Sequence, residues 1–175
     1  LLDKTDVDKA VKGSDYIYHF AGIGDIVPSI DKPTEYLSVN CQGTVNICEG
    51  ARCNSIKKLV YAASSSCYGI AKVPTDESAP IITEYPYALS KYLGERVVLH
   101  WNKVYKLRVN SIRIFNAYGT RSKTSGAYGA VFGIFHFRHF STHFPTQKPA
   151  PWLGWLAFFG VALGCGGGGG GEGAG

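Results

Sequence analysis

Tyr87 and Lys91 stand four residues apart, and Ser64, Ser65 and Ser66 close an apolar run upstream of them. Residues at that spacing share a helix face, so a phenol and an ammonium can point into one site. An ammonium beside a phenol favours the phenolate of a group that otherwise ionises at about pH 10. Such a pair moves protons near neutral pH. A serine hydroxyl at the same place can hydrogen-bond the hydroxyl or carbonyl on which the tyrosine acts. Taken alone, the Tyr-x-x-x-Lys pair is also what an exposed helix face carries, and serines at a strand end are also turn formers.

The elements needed to position these groups are legible in the pattern. Residues 6–12 read as the end of a helix leading into Gly13, and residues 16–20 as a short strand of aromatic and β-branched residues. Gly22, Gly24 and Pro28 close that strand in a turn, with Pro28 expected to interrupt a helix start. From Thr34 to Cys53 the residues Tyr36, Leu37, Asn40, Cys41, Thr44, Val45 and Cys48 recur at three and four, which predicts one helix with one buried face. Cys41 and Cys48 are read as small core residues on that face. Residues 57–63 predict a buried strand, 64–84 a loop, 86–105 a helix opened by Pro86, and 109–115 a further strand. Strands alternating with helices predict parallel pairing, and ligands in such sheets lie beyond the carboxyl ends of the strands. Phe20-Ala21-Gly22, Ser64 and Asn116 all fall at those ends.

An ordered set of motifs runs through this frame: His19-Phe20-Ala21-Gly22, Asn40-Cys41-Gln42-Gly43-Thr44, Ser64-Ser65-Ser66-Cys67-Tyr68-Gly69, Tyr87/Lys91 and Arg113-Ile114-Phe115-Asn116. From about residue 1 to residue 135 it resembles the extended short-chain dehydrogenase/reductase family, and within it the NAD-dependent nucleotide-sugar epimerases and dehydratases, especially those like UDP-glucose 4-epimerase. The resemblance implies an α/β fold, a partial Rossmann-type doubly wound parallel sheet lacking its first βαβ unit, followed by an irregular tail. It implies Tyr87, Lys91 and Ser64 as catalytic residues, and NAD as cofactor, contacted by Phe20, Ala21, Gly22, Asn40, Ser64, Tyr87, Lys91 and Phe115. Ser65, Ser66 and Asn116 would meet a nucleotide-sugar substrate. His19 at its strand end is read as a core histidine.

The serines also discriminate among subfamilies. In 4,6-dehydratases of this family an Asp-Glu pair follows the catalytic Ser/Thr, and related decarboxylases carry a Glu there. Ser65 and Ser66 stand in those places and cannot do general acid–base work at neutral pH. This favours oxidation and re-reduction at C4, hence epimerisation, with a dehydratase, a reductase or a non-catalytic Rossmann-type remnant as alternatives. Family members pair through two helices per subunit, matching 34–53 and 86–105, so a homodimer is expected.

Composition adds limits. The net charge of +5 is uneven along the chain, but neither part carries a dense basic run, so nucleic-acid binding has little support. Five cysteines without a secretory signal or a Cys-x-x-Cys pair predict reduced cytoplasmic thiols rather than a zinc site. The apolar stretch 151–165 is shorter than the roughly 20 residues that span a bilayer. His136, His139 and His143 have helical spacing, yet nothing accompanies them to make a metal site. The phosphate-binding Gly-x-x-Gly-x-x-Gly loop of the family is missing ahead of residue 1, and 136–175 carries no sugar-domain motif and a glycine run at 166–171. The expectation is therefore a family part at 1–135 and an atypical or foreign tail at 136–175, in a fragment that binds little or no NAD by itself.

Overall fold

Alternation along the central strand sets the architecture. The computed structural model describes residues 1–117 of the 175. Strand β2 (Lys58–Ser64) turns Leu59, Tyr61 and Ala63 to one side, where they join Val7 and Val11 of α1 (Lys4–Val11), Ile47, Cys48 and Ala51 of α4 (Gly43–Cys53) and Val98 of α5 (Pro86–Tyr105) in one core. Burying a Val, Leu or Ile side chain of this set away from water contributes about 1.5–3 kcal/mol, and an alanine methyl less. Strand β1 (Tyr16–His19) lies on one side of β2 and β3 (Val109–Ile114) on the other, all parallel, in the order β1-β2-β3. Tyr16 stands opposite Lys58 and His19 opposite Tyr61, while Ser64 stands opposite Ile114. Parallel neighbours need long crossovers, and the helices between these strands supply them. On the face of β1 away from the core, Tyr16 and Tyr18 are exposed.

Local signals set the helix ends. Asp3 caps α1, its side chain accepting from the Asp6 backbone N–H at 3.1 Å. Pro86 opens α5, where its missing N–H costs nothing, and Lys106 closes it in the left-handed region. Pro28 does not interrupt a helix start, contrary to expectation. It sits within the first turn of a short helix, α2 (Ile26–Asp31), where its nitrogen has no intrahelical acceptor to miss.

The predicted helix over 34–53 forms with a departure in its middle. It runs as α3 (Pro33–Leu37), a π-helical turn (Ser38–Gln42) and α4, without a break in the chain's helical course. The wider turn changes which residues face inward. Tyr36, Asn40, Thr44 and Cys48 are buried as the three-and-four pattern predicts, but Leu37, Cys41 and Val45 are only half-buried, and Gly43, Ile47, Gly50 and Ala51 take the inner face. Cys41 and Cys48 consequently differ in environment, burial pushing the Cys48 thiol up to about 12. The four cysteines among the described residues are free thiols, and no helix among those residues is long and apolar enough to cross a membrane. The histidines at 136, 139 and 143, the boundary at residue 135 and the tail beyond it lie outside the described residues.

Candidate active site

The carboxyl ends of all three strands open onto one cleft of about 410 Å³. Phe20 and Gly22 after β1, Ser64 at the end of β2, Phe115 after β3, and Tyr87 and Lys91 from the first turns of α5 all line it. The sheet topology and the four-residue helix spacing thus converge on one place, as the sequence pattern requires. Six of the residues singled out in the sequence are brought together there. Ala21 and Asn116 are exposed and not in the wall, although their neighbours Phe20, Gly22, Phe115 and Ala117 are.

Ser64 is buried at 9 % exposure. Beyond it the chain makes a 3₁₀ turn, Ser65–Tyr68, started by the Ser64 side chain, whose Oγ accepts from the Ser66 N–H at 3.2 Å. Ser64 Oγ also lies 2.8 Å from Ser66 Oγ. Ser66 therefore meets the cleft through Ser64, holding that hydroxyl by two contacts.

Asn40 lies beneath the turn after β1, at the centre of the π-helical turn. Its Oδ1 accepts from the Ile23 N–H at 2.8 Å, and its Nδ2 donates to the Ile23 carbonyl at 2.9 Å and to Ser90 Oγ at 2.9 Å. Those bonds use the amide's groups to tie the 22–24 turn to α5, and Asn40 is absent from the cleft wall. Tyr36 Oη donates to the Gly24 carbonyl and secures the same turn from α3. A Cβ at Gly22 would stand 2.7 Å from Asn40 Oδ1, so the close approach itself requires glycine there. Replacing Asn40 with alanine leaves Ile23 without its partners and lowers stability by about 2 kcal/mol, measured as the denaturant midpoint multiplied by the slope.

His19 is buried and neutral. Thr44 Oγ1 donates to the Asn40 carbonyl at 2.6 Å, which uses its one proton. The 2.9 Å contact between His19 Nε2 and Thr44 Oγ1 therefore has the imidazole as donor. Burial, with the Lys91 charge adding to it, drops the His19 pKa to about 4. Because the folded value lies below the unfolded one of about 6.5, the unfolded chain binds the proton first. Stability from this site is complete above about pH 6.5 and is lost as pH falls towards 4. The thermal midpoint of the chain should fall across that window, and His19→Gln should flatten this part of the curve.

Lys91 is 8 % exposed, and burial lowers its pKa to about 8, which leaves it an ammonium at neutral pH. Tyr87 is half-buried, with its ring edge-on to Tyr36 at 6.4 Å between centroids and its N–H donating to Ser29 Oγ at 3.1 Å. Across the cleft, Phe115 stacks on Tyr68 at 6.3 Å. Tyr68 Oη accepts from Arg113 Nη1 at 2.5 Å, and Arg113 Nε contacts both oxygens of Glu95 on α5, at 3.1 and 3.0 Å. This ion pair is 18 % and 6 % exposed at its two ends. It anchors the serine turn and the end of β3 to the helix that carries Tyr87 and Lys91.

Sequence reasoning placed Tyr36 and Tyr61 only among packed residues, without a supporting task, and did not single out Ser90 or Glu95. Glu95 had a signal, being the one carboxylate within the predicted helix 86–105. Tyr61 had none beyond its place in an apolar run.

The arrangement has close parallels among known proteins. The chain is 34 % identical over 117 residues to UDP-glucose 4-epimerase of Mycolicibacterium smegmatis, covering 66 % of this chain and 37 % of the relative. It is 31 % identical over 120 residues to dTDP-glucose 4,6-dehydratase of Streptomyces niveus, covering 68 % of this chain and 36 % of the relative. The fold superposes on UDP-N-acetylglucosamine 4-epimerase from Methanobrevibacter ruminantium M1, solved with UDP-N-acetylmuramic acid. The TM-score is 0.73 at 27 % identity, over 81 % of this chain and 46 % of that one. The parallel sheet with its helices is therefore Rossmann-like. The chain spans less than half the length of the curated relatives it matches. A family model for the NAD dependent epimerase/dehydratase family matches residues 1–137, taking in every element that builds the cleft. This chain belongs to the NAD dependent epimerase/dehydratase family.

Proposed function

We propose that the whole protein inverts C4 of a nucleotide-linked sugar, with Tyr87, Lys91 and Ser64 at the reacting centre. The observation that carries this reading is the shared cleft in which the phenol, the ammonium and the serine hydroxyl stand at the strand ends. The same cleft suits a dinucleotide. Its floor is backbone at Gly22 and Gly24, Phe20 and Phe115 offer half-exposed rings, and Lys91 and Ser64 provide a cation and a hydroxyl for ribose oxygens. NAD held by these residues would supply the acceptor, and then the donor, of a hydride at C4.

The residues do the rest. Ser64 Oγ donates to the C4 oxygen and holds it against the phenol. Tyr87 takes the hydroxyl proton as the C4–H bond breaks and the C–O bond becomes a carbonyl. It returns the proton when hydride comes back to the opposite face of the turned sugar, so no proton or electron is gained or lost overall. Lys91 holds the positive charge on this wall and binds ribose hydroxyls. Ser66, bonded to Ser64, stands where an elimination would need an acid. That favours inversion over loss of water.

Product analysis of the whole protein with UDP-glucose is the test. The expected product is the C4 isomer, with no net NADH and no change in mass. A product lighter by one water, or NADH formed in proportion to substrate consumed, overturns the reading. A cytoplasmic homodimer completes the proposal, through the helical segments 34–53 and 86–105. It is supported by the outward Leu89, Leu99 and Val104 of α5. A monomeric mass for the whole protein in solution removes that part.

A further inference from the structure

Lys91 brings a positive charge into the interior, yet among the described residues no carboxylate lies within ion-pairing distance of its Nζ. What it meets is an aromatic face. The ammonium sits over the Tyr61 ring at 4.6 Å from the centroid, well inside the roughly 6 Å at which a ring quadrupole attracts a cation. The other end of the same tyrosine reaches the same lysine, with Tyr61 Oη donating to the Lys91 carbonyl at 3.2 Å. Tyr61 is 1 % exposed and fixed in the middle of β2 between two parallel neighbours. Its hydroxyl can approach α5 because residue 94 is glycine. A Cβ there would overlap Tyr61 Oη and stand 3.1 Å from the Asn40 carbonyl.

We propose that Tyr61 is the positioning residue for Lys91, its ring carrying the ammonium and its hydroxyl clasping the backbone of the same residue, so that strand β2 fixes where the charge enters the cleft. The consequence for catalysis rests on the reading of Lys91 given under the proposed function, whereas the contact itself does not.

The surroundings of Lys91 leave the ring as its favourable partner. On β1, His19 is neutral and, if protonated, would repel it. On α5 itself, Glu95 is committed to Arg113, and Tyr87 shares the cleft wall. The Tyr61 phenol is pushed upward, by burial first, and so remains a hydrogen-bond donor instead of an anion. Burial of Lys91 opposes its charge, and the ring acts against that pull.

The test reads the contact without needing turnover. The Lys91 ammonium is titrated by NMR in the 175-residue chain with 13Cε-labelled lysine, the signal being assigned by its loss in Lys91→Met. Tyr61→Phe serves as the reference. One, two and three fluorines are then placed on a phenylalanine at position 61, which withdraws charge from the ring face at nearly constant shape. Tyr61→Phe should titrate close to the unmodified chain, near 8. The fluorinated series should step downward, reaching about one pH unit lower with three fluorines. A flat series overturns the proposal, as does a series that rises. In the whole protein the same series should shift the basic limb of the kcat/KM profile in parallel with the titration. Absence of epimerase turnover removes the functional reading and leaves the titration to decide the contact. Turnover with a flat titration removes the contact and leaves the function.

Discussion

Tyr87→Phe in the whole protein should lower turnover by about 10²- to 10⁴-fold, the range that a positioned proton donor and acceptor contributes. The substitution takes away one oxygen and little else. Phenylalanine keeps the edge-on ring contact with Tyr36, and the backbone N–H still donates to Ser29 Oγ. The thermal midpoint should therefore move little while kcat collapses, and KM for the nucleotide sugar should change far less than kcat, because the nucleotide end does not touch this oxygen. Retention of more than a tenth of the turnover would remove Tyr87 from the reaction. A large fall in the thermal midpoint would assign the oxygen a structural task instead.

The second large effect is on stability. Arg113→Met should destabilise the chain by about 3–5 kcal/mol, the usual cost of removing one partner from a buried ion pair. Methionine keeps the aliphatic stem to about the Nε position but cannot donate, so Glu95, only 5 % exposed, would keep a charge with no guanidinium beside it. Tyr68 Oη would lose its 2.5 Å donor and the Glu77 carbonyl its weaker one at 3.4 Å. Ser111 Oγ, which donates to Glu95 Oε1 at 3.2 Å, remains, but a hydroxyl does not neutralise a carboxylate. Tyr68→Phe removes a single hydrogen bond of this network and should cost about 1 kcal/mol. Urea unfolding of the three proteins orders them, and an Arg113→Met loss below that of Tyr68→Phe would show that the ion pair is not the anchor.

The sequence carries the frame of this molecule more plainly than its bracing. Strands β1, β2 and β3 and helix α5 lie where alternation, Pro86 and the apolar runs place them, because each of those signals is local. Tyr87 and Lys91 face one cleft for a similarly local reason, the pitch of a helix. Ser64 joins them through sheet topology, since parallel order puts every carboxyl end on one edge. What pattern reading misses is long-range. Asn40 bonds Ser90 fifty positions away, and Arg113 meets Glu95 across the sheet–helix layer. No periodicity announces either partner. Pro28 misleads in the other direction. As a breaker it predicts a turn, but in the first helical turn a proline is compatible with α2. Tyr61 shows the same blindness differently, because an aromatic residue in an apolar run reads as filling, whatever its ring face touches.

The wide turn at Ser38–Gln42 has a consequence for how this segment tolerates length changes. Each residue advances an α-helix by about 100° of screw. A π-helical turn takes up one residue more than an α-helical one. Deleting a single position beside Asn40 would let the segment relax to ordinary winding with Tyr36 and Thr44 still facing inward, now seven residues and about two turns apart. The loss would fall on the local widening that carries the Asn40 amide to Ile23. The extra residue thus serves the backbone it braces, and the two half-helices would hold their bearings without it.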